Sequence, residues 1–504
     1  MEAWFILIVS LCICAILKSL FNLINFNPNK IRKLPPGPPS VPFLGNLLWL
    51  RKSLSELEPI LRGLRLKYGP VLTLHIGPRP TIIITTHDLA HQALIQNSAT
   101  FADRPPALET GRITSSNQCN ISSAKYGSLW RLLRRNLMSE ILHPSRVKSY
   151  SHARKWVLEI LIKKLQSQSQ SVRVIEHFQY AMFCLLVLMC FGEKLGEKTI
   201  KEIETVQRAL IVNIVRFNIL NFWPSLGKIL FRRLWNQLLE IRRNQENVLI
   251  PLIRARQQDK KSGKEEFIIS YVDTLLDLQV PDEKRKLNED EMVSLCSEFL
   301  NGGTDTTSTA LQWIMANLVK HQEIQARLFS EINGVVGPGE EIKEEDLQKM
   351  PYLKAVVLEG LRRHPPGHFV LPHAVTEETS LDGYMVPRNA TVNFMVVEMG
   401  RDPKVWEDPM EFRPERFLSS TDREEVFDIT GSREIKMMPF GAGRRICPAL
   451  GLAMLHLEYF IANLVWEFEW RAIDGDDVDL SEKQEFTIVM KNPLQAHISP
   501  RLNK

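Results

Sequence analysis

Residues 439–448 of this 504-residue chain read Pro-Phe-Gly-Ala-Gly-Arg-Arg-Ile-Cys-Pro. The two glycines allow the backbone to turn tightly and to approach a flat partner closely. An apolar run follows, so we expect Cys447 at the amino end of a helix, with Pro448 at the first helical position. The helix dipole and the free N–H groups there favour a thiolate, and Arg445 offers a fork suited to a carboxylate.

The cysteine content singles out Cys447, which alone has a loop built around it. The chain has seven cysteines and no Cys-x-x-Cys pair. The odd number disfavours a disulfide framework, and the missing pair disfavours structural zinc and dithiol redox chemistry. A buried, inert thiol is the alternative for Cys447. A thiolate, a close backbone approach and a carboxylate clamp together suit a haem.

Composition places the chain among ordinary globular proteins, with 44% hydrophobic and 24% charged residues. The net charge of +5 is too mild to indicate nucleic acid as a partner. Val71–Ile76 and Thr81–Thr85 are β-like, whereas helical periodicity dominates from His87 onward. The polar residues 257–266 are expected to form an exposed loop. The pattern predicts a mainly α protein with minor β sheets, in which residues 43–504 form a single large domain.

The amino terminus is predicted to anchor the chain in a membrane. Ala3 to Phe26 are almost wholly apolar, and a spanning helix needs about 20 residues. We assign residues 1–27 to this transmembrane anchor and residues 28–42 to a basic and proline-rich hinge. The basic residues place the hinge side in the cytosol. A cleavable signal peptide is the alternative.

The most strongly predicted helix runs from about Asn288 to Val319. Asn288 is a good N-cap, and Glu291 at N3 completes a capping box. The middle of this helix, residues 301–307, reads Asn-Gly-Gly-Thr-Asp-Thr-Thr. Each glycine costs about 1 kcal/mol relative to alanine in a helix interior. We therefore expect a bend that makes room for a ligand, with a helix boundary as the alternative.

The stretch ending at Cys447 resembles the haem-binding signature of cytochromes P450, Phe-x-x-Gly-x-Arg-x-Cys-x-Gly. Every fixed position matches except the last, where Ala449 replaces glycine. The resemblance implies a P450 fold and a haem b cofactor with Cys447 as the axial ligand of the iron. It also implies that Phe440, Gly441 and Arg445 lie against the cofactor.

The resemblance covers essentially the whole chain, with its motifs in the family order. Finer matches occur at residues 101–105 and 351–355. Residues 298–307 and 436–440 are similar to those of the plant A-type P450s, most closely plant family 89.

The resemblance also assigns roles to residues outside the cysteine loop. Asp305 and Thr306 match the acid and the alcohol that relay protons to iron-bound dioxygen. Trp130 and Arg134 match the residues that reach a haem propionate. His373 lies where many relatives place a propionate-binding arginine or histidine, and an ordinary core or surface histidine is the alternative.

Glu359-x-x-Arg362 is a weak pattern by itself, because chance alone supplies about one or two in a chain of this length. Its place between the long helix and the cysteine loop makes it similar to the Glu–Arg pair of the family, which Arg416 completes. A buried carboxylate between two guanidinium groups is expected to hold the haem-side core together. This role is structural.

The resemblance implies monooxygenation, in which one oxygen atom enters the substrate and the other leaves as water. It implies NADPH–cytochrome P450 reductase as the electron donor, a lipophilic small-molecule substrate, and a single-pass location in the endoplasmic reticulum membrane facing the cytosol. Basic residues near the proximal face are candidates for docking the reductase, or are solvated charges: Arg135, Lys436 and Arg444.

Four segments are expected to line the substrate pocket: Leu108–Ser123, Ser294–Thr306, Gly367–Leu371 and Phe486–Val489. The apolar Ile211–Leu230 is expected either to dip into the bilayer or to pack in the core. Two alternatives to a monooxygenase remain open. The first is an enzyme of this fold that rearranges peroxides without a reductase, and the second is a non-catalytic haem-binding membrane protein.

Overall fold

The computed structural model describes residues 34–39, 54–76, 79–168, 171–221, 224–262, 268–418, 427–473 and 477–501. The predicted anchor, residues 1–27, and most of the predicted hinge lie outside this part. Within the described end of the hinge, the Pro36 carbonyl accepts a hydrogen bond from Thr73 N at 2.9 Å. A Cβ atom at Gly37 would lie 1.9 Å from the Thr73 carbonyl oxygen, so the hinge packs tightly along the first strand.

Helices make up most of the described chain, as the sequence predicts. Their bounds are α1 Leu54–Tyr68, α2 His87–His91, α3 Glu109–Thr114, α4 Ser128–Asn136, α5 Pro144–Ser149, α6 Ser151–Gln166, α7 Val174–Phe191, α8 Glu197–Phe217, α9 Pro224–Leu230, α10 Arg232–Ser262, α11 Tyr271–Leu275, α12 Glu289–Lys320, α13 Gln322–Val336, α14 Pro351–Arg363, α15 Val396–Gly400 and α16 Leu450–Glu467. Short π-helical turns, Gln92–Gln96 and Leu137–Ile141, continue α2 and α4.

The strands are short and lie in small sheets. Their bounds are β1 Val71–Ile76, β2 Arg79–Ile84, β3 Val172–Arg173, β4 Gln279–Val280, β5 Arg285–Lys286, β6 His373–Ala374, β7 Thr379–Leu381, β8 Tyr384–Val386, β9 Thr391–Phe394, β10 Phe468–Ala472, β11 Glu482–Gln484, β12 Ile488–Met490 and β13 Gln495–Pro500. The largest sheet has the order β1-β2-β9-β6, and its β2 and β9 run parallel. A second sheet has the order β10-β13-β3, and the remaining strands form antiparallel pairs.

Helix α12 crosses the core and organises the helices around it. Its 32 residues span about 48 Å at 1.5 Å per residue. The predicted capping box is confirmed, because Asn288 Oδ1 accepts from Glu291 N at 2.8 Å and Glu291 Oε2 accepts from Asn288 N at 2.9 Å. Helices α7, α14 and α16 pack against α12. The segments that carry the predicted site therefore share one core.

Residues 257–262 correct one sequence prediction, because they continue α10 instead of forming a loop. The polarity of residues 257–262 favours a loop, but tertiary contacts stabilise the helix there. Arg256 forms an ion pair with Asp273 on α11 at 2.7 Å. One turn later, Lys260 donates to the Asp273 carbonyl at 2.9 Å and pairs with Asp277 at 2.6 Å.

Helix α7 alone, within the described residues, is long and apolar enough to cross a membrane by length and composition. It is mostly buried inside the protein, where it packs against α6 and α12. These contacts make α7 a core helix.

Candidate functional site

The cysteine loop is closed by its own backbone. Cys447 N donates to the Phe440 carbonyl at 2.8 Å, and the Phe440 side chain packs against the main core. Gly441 and Gly443 have φ angles of +70° and +68°, where glycine is favoured. A Cβ atom at Gly443 would also lie 1.9 Å from the Leu94 carbonyl oxygen. This approach explains why the loop needs glycine.

The helix after the loop begins later than the sequence predicts. Helix α16 starts at Leu450 with Ala449 as its N-cap, so Pro448 lies before the helix and the prediction that it occupies the first helical position is wrong. Proline fits this turn because its backbone nitrogen has no hydrogen to satisfy. Ala449 has φ −93° and ψ 20°, which an L-residue adopts without left-handed strain. Its conformation therefore does not require glycine.

Cys447 is half-buried, whereas the other described cysteines, Cys119, Cys184, Cys190 and Cys296, are buried. Burial nevertheless raises the pKa of the Cys447 thiol, while the Ala449 N–H and the charge of Arg134 lower it. The Ala449 N–H at the helix end thus favours the thiolate, as predicted, but burial outweighs it. Coordination to a metal ion would deprotonate the thiol.

Arg445 contacts backbone carbonyls, and the carboxylate expected at its fork stays a prediction. It donates to Ala102 O at 2.7 Å, Ala124 O at 2.7 Å and Ile121 O at 3.2 Å. Its guanidinium carbon lies 4.4 Å from the centre of the Trp130 ring. Burial lowers the pKa of Arg445 to about 10. Arg445 thus joins the cysteine loop to the segment that precedes α4.

Trp130 and Arg134 lie together on α4, with the guanidinium group of Arg134 over the Trp130 ring. Trp130 Nε1 is buried and has no hydrogen-bond partner among the described residues. The Arg134 guanidinium lies 5.7 Å from the Trp130 ring centre, and burial lowers its pKa. A buried donor without a partner costs about 1–3 kcal/mol. A carboxylate at this point would satisfy both side chains, so these residues fit the propionate end of a haem.

His373 is buried in β6, where Nδ1 lies 2.6 Å from the Phe101 carbonyl oxygen. Only a protonated Nδ1 can bond a carbonyl oxygen, which fixes the tautomer of the neutral ring. Burial, together with Arg104, lowers the pKa of His373 to about 3. Nε2 would need a second proton to donate to a propionate. The propionate role of His373 therefore stays a prediction.

Arg104 is a site residue to which the sequence analysis assigned no role. It donates to Ser122 O at 2.7 Å, Leu371 O at 2.8 Å and Pro372 O at 2.9 Å. Burial and the nearby Arg445 lower its pKa to about 9. The motif at residues 101–105 contained this arginine, but only as a mark of family likeness.

Thr306 and Asp305 lie on different sides of α12, which is helical throughout residues 301–307. Thr306 Oγ1 donates to the Gly302 carbonyl at 2.7 Å. A Cβ atom at Gly302 would meet no atom within 4 Å, so open space lies beside this turn. Asp305 Oδ1 instead faces α8 and pairs with Arg208 Nη1 at 2.9 Å. Burial raises the pKa of Asp305 although Arg208 lowers it.

Hydrogen bonds connect the four predicted pocket segments, or residues directly next to them, around α12. Glu298 on α12 accepts from Ile121 N at 2.8 Å and Ser122 N at 2.6 Å. Thr309 on the same helix bonds to Thr487 at 2.8 Å between hydroxyl oxygens. Ile488 N donates to Pro366 O at 2.9 Å, beside residues 367–371. Three large apolar side chains in these segments are exposed: Leu108, Leu371 and Phe486.

Glu359, Arg362 and Arg416 meet in the core, as the resemblance implies. Arg362 Nε and Nη2 donate to the two carboxylate oxygens of Glu359 at 2.7 and 2.8 Å, and both side chains are fully buried. Arg416 Nε donates to Glu359 Oε1 at 3.2 Å. Arg362 also donates to Gly400 O at 2.6 Å and Pro409 O at 2.9 Å. The cluster therefore ties α14 to the chain that leads towards the cysteine loop.

Sequence comparison identifies a family for the chain. The family model described as "Cytochrome P450" matches residues 35–498. Cytochrome P450 89A9 of Arabidopsis thaliana is 51% identical and aligns over 99% of this chain and 98% of its own length. Dimethylnonatriene synthase of Zea mays is 33% identical over 94% of this chain and 92% of its own length. These matches support plant family 89.

Structural comparison shows the same fold. A zebra fish cytochrome P450 determined with abiraterone superimposes with a TM-score of 0.74 at 22% identity. The match covers 88% of this chain and 100% of the zebra fish chain. At this identity the likeness concerns the fold alone.

Proposed function

The chain belongs to the cytochrome P450 family and is a monooxygenase, and we propose that it inserts one atom of O2 into a lipophilic plant metabolite. The observation that carries the proposal is the half-buried Cys447 within its glycine-shaped loop. The intact pair Asp305 and Thr306 supports it further. The proposed electron source is NADPH, through a membrane-bound NADPH–cytochrome P450 reductase.

Haem is the cofactor of the family, and we propose haem b for this chain. When bound, it supplies the activation of dioxygen for insertion into the substrate. Cys447 would hold the iron, because it stands half-buried in a loop whose backbone is fixed by two glycines. Trp130 Nε1, which has no partner among the described residues, and the Arg134 guanidinium would hold propionate oxygens. Arg445 would fix the loop to residues 101–124, and we propose that it also contacts the cofactor.

We propose that Thr306 and Asp305 position and transfer protons. The Thr306 hydroxyl beside the open space at Gly302 can accept one hydrogen bond while donating another. Burial raises the pKa of Asp305, so its carboxyl group takes up a proton more readily than an exposed aspartate. Arg208 keeps the carboxylate directed towards α8. The hydroxyl thus orients a proton at the reacting side, and the carboxyl group supplies it.

Thr306→Ala is expected to uncouple the enzyme, so that NADPH is consumed while less product and more hydrogen peroxide form. Loss of a positioned proton-transfer group typically costs about 10²–10⁴-fold, and we expect coupling to fall by about tenfold or more. The measurement is the ratio of product to NADPH in the reconstituted system. Ser308→Ala is the control, because it removes a buried hydroxyl that also bonds to α12. Normal coupling in Thr306→Ala would contradict the relay.

The three basic residues proposed to dock the reductase differ in how freely their charges are available. Arg135 is exposed on α4. Lys436 lies 3.6 Å from Glu434, and Arg444 bonds to Ser98 at 3.1 Å and to the Tyr126 hydroxyl. Arg135 therefore has the charge most available to an acidic partner surface.

We propose an endoplasmic reticulum location, with residues 1–27 as a single anchor and the catalytic domain in the cytosol. Exposed apolar side chains around α8 and α9 support contact with the lipid bilayer, including Val212, Ile229 and Leu230, which are 70%, 74% and 65% exposed. In the same region, Phe217 and Leu220 pack in a buried cluster. In this segment, the exposed side chains are therefore available for membrane contact, whereas others pack in the core.

A further inference from the structure

A small cavity lies between α8 and α12, on the side of Asp305 that faces away from Thr306. Its volume is about 10 Å³, and Glu204, Gln207, Arg208 and Asp305 line it. A space of this size holds about one water molecule, provided that two to four polar groups surround it. The lining meets this condition.

Gln207 supplies the observation that calls for a ligand in this cavity. Its side chain is 1% exposed, and its Oε1 accepts from Ser297 Oγ at 2.7 Å and Asn301 Nδ2 at 3.1 Å. Its Nε2 is buried and has no partner among the described residues. Gln245 Nε2 is a third donor to Oε1, at 3.1 Å. Because a flip of this amide alone would turn its nitrogen towards three donors, Nε2 is the group that needs an acceptor. A water in the cavity would accept from Nε2 and leave its own two hydrogens for carboxylates.

Glu204 connects the cavity to solvent. It lies one turn before Arg208 on α8 and is partly exposed. Burial raises the pKa of Glu204, and the charge of Asp305 raises it further. The other groups that face it are Arg208 and Lys201 on its own helix, Lys164 on α6, and Tyr180 on α7. The three cations lower the pKa of Glu204, and burial outweighs them.

We propose that Glu204 is the solvent-side proton donor for Asp305, through one water bound to Gln207. The Glu204 carboxyl gives a proton to the water, and the water gives one of its hydrogens to the Asp305 carboxylate. Bulk water then reprotonates Glu204, and no electrons move. Arg208, which pairs with Asp305 at 2.9 Å, keeps the acceptor beside the water. The inference rests on the proposed function, since a monooxygenase consumes protons at each turnover.

Glu204→Gln tests the path in the full-length holoenzyme with its reductase. We expect NADPH oxidation without added substrate to slow by about tenfold, and the solvent isotope effect in D2O to increase, because a proton-transfer group is lost. Glu204→Asp should restore both, since it keeps a carboxyl group. Glu202→Gln is the matched control, because Glu202 is exposed on the same helix.

A second readout does not depend on turnover. Since its pKa is raised, Glu204 should stay protonated to a higher pH than an exposed glutamate. Infrared difference spectra between wild type and Glu204→Gln should therefore show a carboxylic acid C=O band that titrates above the ordinary glutamate range. The proton path would be overturned if Glu204→Gln kept the wild-type rate and isotope effect. It would also be overturned if this infrared band were absent. Normal coupling in Thr306→Ala would instead count against the relay on which the path rests.

Discussion

Replacing Cys447 with alanine is expected to abolish the strongly red-shifted Soret band that reduced, CO-treated P450s show and from which the family takes its name. That band requires a thiolate bound to the iron. In this structure Cys447 is half-buried within a loop that its own backbone N–H closes by a 2.8 Å bond to the Phe440 carbonyl. The measurement is the difference spectrum of microsomes that contain the full-length protein.

Cys184→Ala is the matched control for this experiment. Cys184 is a buried thiol on α7, and burial raises its pKa to about 11. Its removal should leave the red-shifted band in place. A band that survives Cys447→Ala would show that another residue holds the iron.

Glu359→Ala is expected to destabilise the fold more than removal of an exposed carboxylate. It leaves Arg362 fully buried without its bidentate partner, and breaking a buried ion pair from one side costs about 3–5 kcal/mol. Arg416 and the Arg413 backbone N–H, which bond Glu359 at 3.2 and 2.8 Å, lose an acceptor as well. The measurement is the midpoint of thermal or denaturant-induced loss of the haem spectrum.

Glu407→Ala provides the comparison, because Glu407 is 78% exposed and pairs with Arg413 at the surface. Such pairs contribute about 0–1 kcal/mol. If Glu359→Ala gives no folded protein, Glu359→Gln keeps the shape and part of the hydrogen bonding, and should fold with reduced stability. Equal midpoints for Glu359→Gln, Glu407→Ala and wild type would contradict the structural role.

The features that sequence predicted best are those encoded in short stretches. The capping box at Asn288 and Glu291 is contained within four residues, and it fixed the start of α12. The glycines of the cysteine loop likewise need positive φ angles and a close approach to Leu94.

The features that sequence missed depend on contacts between distant segments. Arg208 pairs with Asp305 across 97 positions of the chain, and no local pattern links them. The carbonyl groups that Arg445 contacts lie 321 to 343 positions away in the chain, so no local pattern pointed to them. The rise in the pKa of Cys447 comes from burial, which follows from the assembled core.

The most direct test of the account is the source of the oxygen in the product. The full-length protein, reconstituted with reductase and NADPH, would be supplied with lipophilic plant metabolites under oxygen-18 gas. Candidate substrates would be selected by spectral binding. The account predicts that the product gains one labelled oxygen atom, and that no product forms without reductase. Product that carries unlabelled oxygen, or that forms from a peroxide without reductase, would contradict it.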